Sequence, residues 1–508
     1  MTSLKRGLDA ASAARGVSYL WLQNGVSLVA RVVAFAFFAR LISVEQMGVF
    51  TILTLASSAA STFMGLGFTG IVIKFIAEDI AKGKKEEAAS VYYKGLLLSE
   101  VASVLIAAGF LVSRFPAGVS HLPNSPEVSF ISLLFAIDVV ATIGPIAVAA
   151  FYGLLEFKAY AVIYGVYAAL RPWLVVLLIY EVKSLVGLVE AWVIADSVFA
   201  VYVFAYLWRR LGPPVFKFDT KYLLKLSLPL YFANVATFLY GTFDQLTLIP
   251  LVSLSALGVY GAAITGYSAY NGVIAAVNSV LLPVFSSVHG IDASEGLKSA
   301  AERASRYISI VAIPLAFALV ATARPVLTLL VGRGYEAGAL PLAILALAST
   351  ATIISLSLRP ILIVLNETRL AALTSILPIP ISVAVALISI PTLGIVGASI
   401  ARGLSLLLGL FLTWYFVRRK ISVKLDYEAI IKSLLASGLM AVSMEALQLL
   451  YYNPYSLPVY LLVGAVVFIL ATRALRVLSA ADMDLLHQIL GSRFGGRISN
   501  LLSRLLVR

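Results

Sequence analysis

The sequence predicts an all-α, polytopic membrane protein of about fourteen transmembrane helices, on three observations. Apolar side chains make up 61% of the 508 residues and charged ones only 12%, about half the charged share of a soluble domain. The apolar residues fall into long segments close to the ~20 that cross a bilayer as a helix. Those segments lack period-2 alternation, which excludes the membrane β-barrel, the other fold that satisfies its backbone in lipid. An ordinary globular enzyme is excluded on the same composition.

In chain order, the candidate spans are 17–41, 49–75, 92–114, 129–153, 159–180, 185–208, 224–250, 256–287, 305–331, 339–365, 370–391, 394–417, 429–451 and 456–478. Short connections leave no sizeable extramembrane domain. Lys5, Arg6 and Arg15 precede an apolar run too long for a signal peptide and without a small-residue cleavage site, so the first span reads as uncleaved. Loops after even-numbered spans are basic, with Lys82, Lys84 and Lys85, then Arg209, Arg210 and Lys217, then Arg418, Arg419 and Lys420. Loops after odd-numbered spans carry little more than Arg40, Arg114, Lys183 and Arg333. Basic loops remain cytoplasmic, which places both termini inside and predicts a multi-pass protein of the cytoplasmic membrane. The same distribution accounts for the net charge of +13 without a nucleic-acid partner. Beyond the last span, Leu485, Leu486, Ile489, Leu490 and Phe494 recur at helical spacing among Arg493, Arg497, Arg504 and Arg508. They predict an amphipathic interfacial helix over 481–508, with a tail packed on the cytoplasmic loops as the alternative.

Charge inside the spans points to a cavity. Arg31 sits near the middle of the first span, where a charge costs roughly 3 kcal/mol on insertion scales. Asn24, Ser27 and Arg31 share a helical face, and such a face belongs against protein or a water-filled chamber. Span seven carries Asn234, Thr237, Gly241 and Asp244 on one face, and span eight carries Asn271, Ala275 and Asn278. Asn24, Arg31, Asn234, Asp244, Asn271 and Asn278 are therefore the candidate substrate-binding residues, and tight helix packing is the alternative for the small members of these stripes. Asp138, Arg171, Asp196, Arg359 and Arg402 are secondary cavity or ion-pair candidates, alongside Glu100, Glu190 and Glu445. Both signs are present, so internal ion pairs are the plainer reading for most of them. Pro145, Pro229, Pro283, Pro314 and Pro378 mark expected kinks.

Bond-making chemistry is not visible. There is no cysteine, and His121, His289 and His487 are the whole histidine complement. No nucleophile–base arrangement or metal motif is present, so neither enzyme activity, cofactor nor resident metal is expected, beyond H+ or Na+ as a coupling ion. Gly65-Leu-Gly67-Phe-Thr-Gly70 matches G-x-G-x-x-G but follows no strand, and the dinucleotide reading fails.

Three matches suggest an internal repeat. Met47-Gly48-Val49-Phe50 pairs with Leu257-Gly258-Val259-Tyr260 at an offset of 210, and Glu156-Phe-Lys158 with Glu367-Thr-Arg369 at 211. Val186-Gly-Leu-Val189 pairs with Leu393-Gly-Ile-Val396 at 207. The expected organisation is two pseudo-symmetric six-helix halves, 1–210 and 211–420, two further helices in 421–480, and the tail over 481–508. Six crossings give both halves the same orientation, with substrate bound between them and access alternating as they rock.

Arg40-Leu-Ile-Ser-Val-Glu-Gln-Met-Gly-Val-Phe50, with Gly65-Leu-Gly-Phe68 and Lys74, resembles the opening of polysaccharide transporters of the multidrug/oligosaccharidyl-lipid/polysaccharide (MOP) exporter superfamily. Phe243-Asp244, Leu282-Pro283 and Leu393-Gly-Ile-Val-Gly-Ala398 resemble later landmarks of the same family. The resemblance implies a flippase that moves a lipid-linked oligosaccharide or polysaccharide precursor, working as a monomer among membrane lipids. It also implies a cationic central cavity, a role that Arg31 fits. Many relatives follow the seventh-span Asp with a basic residue, where this chain has Gln245. The alternative within the superfamily is a cation-coupled multidrug exporter, in which Asp244 would bind the cation.

Overall fold

A computed structural model describes residues 10–112, 126–289, 295–423 and 425–477, with side chains described throughout except at 10–17, 126, 275–289, 295, 353 and 356. The described residues form helices and no strand. Thirteen helical segments are long and apolar enough to span a membrane. The remaining predicted crossing, 256–287, falls within a further helix of 36 residues. The predicted tail helix over 481–508 lies outside the described residues.

The chain divides into two compact units, Met1–Gly258 and Val259–Arg508. The first contains α1 (Ala10–Leu41), α2 (Val44–Met64), α3 (Phe68–Ala81), α4 (Lys85–Val112), α5 (Pro126–Ala141), α6 (Gly144–Gly153), α7 (Phe157–Val182), α8 (Val186–Leu211) and α9 (Thr220–Leu248). It also holds the first turn of α10 (Leu254–His289). The second contains α11 (Glu295–Leu330), α12 (Ala339–Val364), α13 (Thr368–Ile376), α14 (Pro378–Leu393), α15 (Ile395–Lys420), α16 (Tyr427–Leu450) and α17 (Leu457–Ala474).

Three spans predicted as single helices are broken. Span two divides at Gly65–Gly67 into α2 and α3, where Leu66 and Gly67 take left-handed φ values of 45° and 72°. Gly67 is required there twice over: a side chain would be strained at that φ, and a Cβ would lie 2.5 Å from the Ser227 carbonyl oxygen of α9. Span four divides at Thr142–Ile143, with Pro145 in the first turn of α6. Span eleven divides at Leu377, with Pro378 opening α14. Proline lacks the N–H that a continuous helix would need at those places. Pro229 and Pro314, by contrast, sit inside α9 and α11.

The core of unit 1 gathers Phe68 and Ile76 of α3, Tyr92 of α4, Phe151 of α6, Leu207 of α8 and Leu223 of α9. In unit 2, Met440, Met444 and Tyr460 pack with Ala321 and attach the last two helices to α11. The Tyr460 hydroxyl donates to the Tyr451 carbonyl at 2.7 Å and accepts from the Asn453 N–H at 2.9 Å, fixing the turn between α16 and α17.

The repeat is visible in backbone detail. Leu155 and Asn366 share a left-handed φ of 57° and 60°, and the following Glu156 and Glu367 have ψ of 52° and 48°. Glu156 then pairs with Arg210 at 2.9 Å, as Glu367 pairs with Lys420. The third sequence match needs correcting. A Cβ at Gly187 would strike the Leu178 carbonyl, and one at Gly397 would strike the Ser389 carbonyl in the same way. Gly187 therefore corresponds to Gly397, not Gly394, so the offset is 210 from there on and 211 in the helix before it, where Leu178 corresponds to Ser389. The short loop before α15 misled the sequence alignment, because Leu-Gly-Ile-Val and Val-Gly-Ala lie three residues apart.

One end of unit 1 is polar. The connection from α8 to α9 is strapped down by the Tyr93 hydroxyl donating to the Gly212 carbonyl (2.8 Å), the Phe218 N–H donating to Ser90 Oγ (2.7 Å) and a Lys217–Glu86 ion pair (2.5 Å). Asp79 is buried beside this strap, outside the spans. Burial first, then the charges of Glu87 and Glu78, push its carboxyl above the ordinary aspartate range, against the attraction of Lys82 and Lys84. A raised folded-state pKa means stability is full below about pH 3.9 and is lost as pH rises through the raised value. Asp79→Asn is thus expected to raise the melting temperature at neutral pH and to leave it unchanged in acid, measured as thermal unfolding in detergent against pH.

Candidate functional site

On α1, Gln23, Ser27, Ala34 and Phe38 are buried, on the helix that packs against α7. Gln23 donates to Ser27 Oγ at 3.1 Å, and its stem meets Gly165 of α7. Leu22, Val26, Val29, Val33 and Phe37 form an exposed apolar stripe. At about 100° per residue, Arg31 lies roughly 160° around the helix from the centre of that stripe. It is exposed, and its Nε donates to the Ser27 carbonyl at 3.2 Å. No ion pair engages it among the described residues. Asn24 is exposed on the same flank. The predicted stripe thus splits, with Ser27 turned into helix packing while Asn24 and Arg31 remain open.

The other primary candidates are dispersed. Asn234 is exposed on α9, and Asp244 is completely buried one helix end away. Asn271 is half-buried on α10, and the Asn278 side chain lies outside the described residues. Arg359 is exposed on α12, whereas Arg402 is buried on α15.

The secondary candidates of unit 1 come together. Arg171 forks onto Asp196, with Nε 3.0 Å from Oδ1 and Nη2 donating to Oδ2 at 3.2 Å. The Tyr167 hydroxyl donates to Oδ1 at 2.6 Å. Thr142 Oγ1 lies 2.9 Å from the Asp138 carbonyl and 3.3 Å from Asp196 Oδ2. The guanidinium also sits over the Trp192 ring, 4.9 Å from its centroid, a cation–π contact that suits a partly desolvated Arg. Asp138 is buried against Asp196 and Arg171, and its Oδ1 has no hydrogen-bond partner among the described residues.

Two helix breaks create room beside this cluster. A cavity of about 330 Å³ is lined by Ser61 and Thr69 either side of the α2–α3 break, by Ile143 and Pro145 at the α5–α6 break, and by Tyr167 and Asp196. Helix ends release backbone polar groups from the intrahelical ladder, and Ser61, Thr69, Thr142, Tyr167 and Asp196 bring polar atoms to a space otherwise lined by apolar side chains. Two carboxylates share one guanidinium there. Full ionisation would leave one surplus negative charge in a low-dielectric setting, which a bound proton or cation offsets.

The ionisable members were legible from sequence; Tyr167, Thr142 and Trp192 were missed. A signal existed, since each stands four residues, one helical turn, from a charged partner: Tyr167 from Arg171, Thr142 from Asp138, and Trp192 from Asp196. The repeat shows the cluster to be one-sided. At the corrected offsets, Arg171 corresponds to Ser382 and Asp196 to Leu406, both buried.

With this geometry in place, the chain can be set beside known proteins. A family model described as "Polysaccharide biosynthesis protein" matches residues 37–339, and one described as "Lipid II flippase MurJ" matches residues 267–472. No curated protein matches. Among solved structures, the lipid II flippase MurJ in an inward closed conformation is similar at a TM-score of 0.72 and 14% identity, over 91% of this chain and 98% of that one. The Vibrio cholerae MATE transporter VcmN is similar at 0.57 and 15%, over 81% and 98%. A MOP superfamily transporter from Pyrococcus furiosus, titled for the reverse polarity of its binding pocket, is similar at 0.56 and 16%, over 80% and 95%. At these identities the structural likeness speaks for the fold. The family model covers more than half of the sequence, and the chain therefore belongs to the polysaccharide biosynthesis protein family, with a fold like that of the MOP superfamily transporter and the lipid II flippase above.

Proposed function

We propose that this protein is a flippase that carries a lipid-linked oligosaccharide or polysaccharide precursor across the cytoplasmic membrane by alternating access. The observation that carries this reading is Arg31, a guanidinium in mid-span that makes no ion pair among the described residues and points away from the exposed apolar stripe. Such a group is stabilised when it meets an anion, and a phosphate or pyrophosphate accepts the two-pronged hydrogen bonding that Arg offers. Asn24 on the same flank suits sugar hydroxyls. The matched family descriptions favour the same class of substrate.

Coupling is assigned to a proton held by the Asp138–Asp196 pair, because two carboxylates facing one guanidinium carry the surplus charge to bind it. Na+ is the other candidate. The basic loops support cytoplasmic termini, and two repeats within one chain support a monomer acting without nucleic-acid partners. The multidrug-exporter reading draws on the MATE neighbours.

In vesicles reconstituted with a fluorescent lipid-linked sugar, Arg31→Ala is expected to slow translocation by about tenfold or more, the loss of one charge-assisted contact of 1.5–3 kcal/mol. Arg31→Glu should slow it further, and Arg31→Lys less. Wild-type rates in Arg31→Ala and Arg31→Glu would refute the assignment.

A further inference from the structure

We infer that a pocket at one end of unit 2 binds a primary ammonium group, carried either by a lipid headgroup or by a small soluble amine. The pocket, of about 290 Å³, opens between the end of α11, the start of α12 and the end of α16. Arg324, Glu445, Gln448 and Tyr452 supply its polar lining.

A proline sets the geometry. Pro325 lies inside α11 and lacks the N–H that the Ala321 carbonyl would accept four residues on. Gln448, only 8% exposed, fills the gap: its Nε2 donates to the Ala321 carbonyl at 2.8 Å and to the Met444 carbonyl at 3.3 Å. Two carbonyls can be met only by the nitrogen end of an amide. Oε1 is thereby left as an acceptor at the pocket wall, without a hydrogen bond among the described residues. One turn earlier on α16, Glu445 lines the same pocket, with neither an ion pair nor a hydrogen bond among the described residues.

Charge and hydrogen bonding choose the occupant. Arg324 holds Glu336 Oε2 with Nε at 3.2 Å and Nη2 at 2.9 Å, and its guanidinium sits 4.4 Å from the centroid of the Tyr452 ring. That pair is neutral, so Glu445 leaves the pocket with a net negative charge. A carboxylate and an amide oxygen both require N–H or O–H donors, and a primary ammonium offers three. A quaternary ammonium offers none, and the Tyr452 ring that would attract it already carries Arg324. A bare metal ion would need more oxygen ligands than one carboxylate and one amide supply. Leu340 and Leu449, both well exposed, line the same pocket. Hydrocarbon beside the ammonium, at the ends of membrane-spanning helices, favours an aminophospholipid headgroup as the carrier.

The test uses the full-length protein in detergent, read by native mass spectrometry and by melting curves. The probes are dioleoyl phosphatidylethanolamine, its choline counterpart with the same chains, and soluble ethanolamine phosphate. Wild-type protein is expected to retain the ethanolamine lipid and to melt higher in its presence, and to do neither with the choline lipid. Glu445→Gln keeps the shape and removes the charge. It should weaken retention about tenfold or more, the loss of one charge-assisted hydrogen bond. Because Glu445 is exposed, this variant should melt like wild type when no lipid is added. Glu181→Gln, at an exposed carboxylate near the end of α7, should leave retention unchanged. Displacement of the ethanolamine lipid by ethanolamine phosphate at equal concentration would assign the site to a soluble amine, and resistance to it would assign the site to the headgroup. Equal retention of the two lipids, or unchanged retention in Glu445→Gln, would overturn the ammonium site and leave the flippase reading untouched.

Discussion

Arg171→Leu is expected to destabilise unit 1 by about 3–5 kcal/mol, the usual loss when one member of a buried ion pair is removed. The physical cause is stranding. Asp196 is buried and would keep the Tyr167 hydroxyl and Thr142 but lose both prongs of the guanidinium. Asp138 would lose the positive charge that holds two carboxylates in one place. Detergent melting curves should show a large fall for Arg171→Leu and a smaller one for Arg171→Lys, which retains charge but not the fork. The double variant Arg171→Leu with Asp196→Leu should recover most of the stability, since a matched apolar pair often replaces a buried ion pair without loss. Ser382 and Leu406 at the equivalent places of the second half show that this helix packing does not require the pair. Transport should remain lost in the double variant, which separates folding from coupling.

The second large effect is expected at Gly48 and Gly258. A methyl group at Gly48 would overlap the Leu254 carbonyl oxygen, and one at Gly258 would overlap the Val44 carbonyl oxygen. Both obstacles are backbone, so neither can yield by changing a rotamer. Overpacking of this kind costs about 1–3 kcal/mol or more. Gly48→Val and Gly258→Val should each lower the melting temperature and stop translocation, with matching effects because their surroundings correspond. Gly109→Ala on α4 is the control: nothing stands within 4 Å of the added carbon, and helix propensity makes alanine the better residue by up to about 1 kcal/mol. Equal melting temperatures for Gly48→Val and Gly109→Ala would contradict the close crossing.

The crossings were legible because bilayer thickness imposes a length on every apolar segment, and the same rule exposed Arg31 as out of place. The breaks were less so. Gly65-Leu-Gly67 reads as part of one apolar run, and only the approach of α9 to Gly67 shows why the helix must stop there. Asp138, Arg171 and Asp196 could be named one at a time as costly charges, but their meeting depends on α5, α7 and α8 packing side by side. No periodicity within one helix contains that information. Asp244 shows the opposite limit: it shares a helical face with Asn234 in sequence, yet it is wholly buried while Asn234 is open.

The two glycine crossings mirror each other. Gly48 meets Leu254 as Gly258 meets Val44, and both members of the second pair stand 210 positions from their counterparts in the first. Contacts that exchange partners in this manner are what a dyad imposes on two copies of one polypeptide. The two contacts are thus one contact made twice, once from each copy of the repeat. A substitution at either glycine disturbs the same kind of close approach, so the pair is sensitive from both sides. The copies have not stayed alike elsewhere, since the Arg171–Asp196 pair has Ser382 and Leu406 at the matching places.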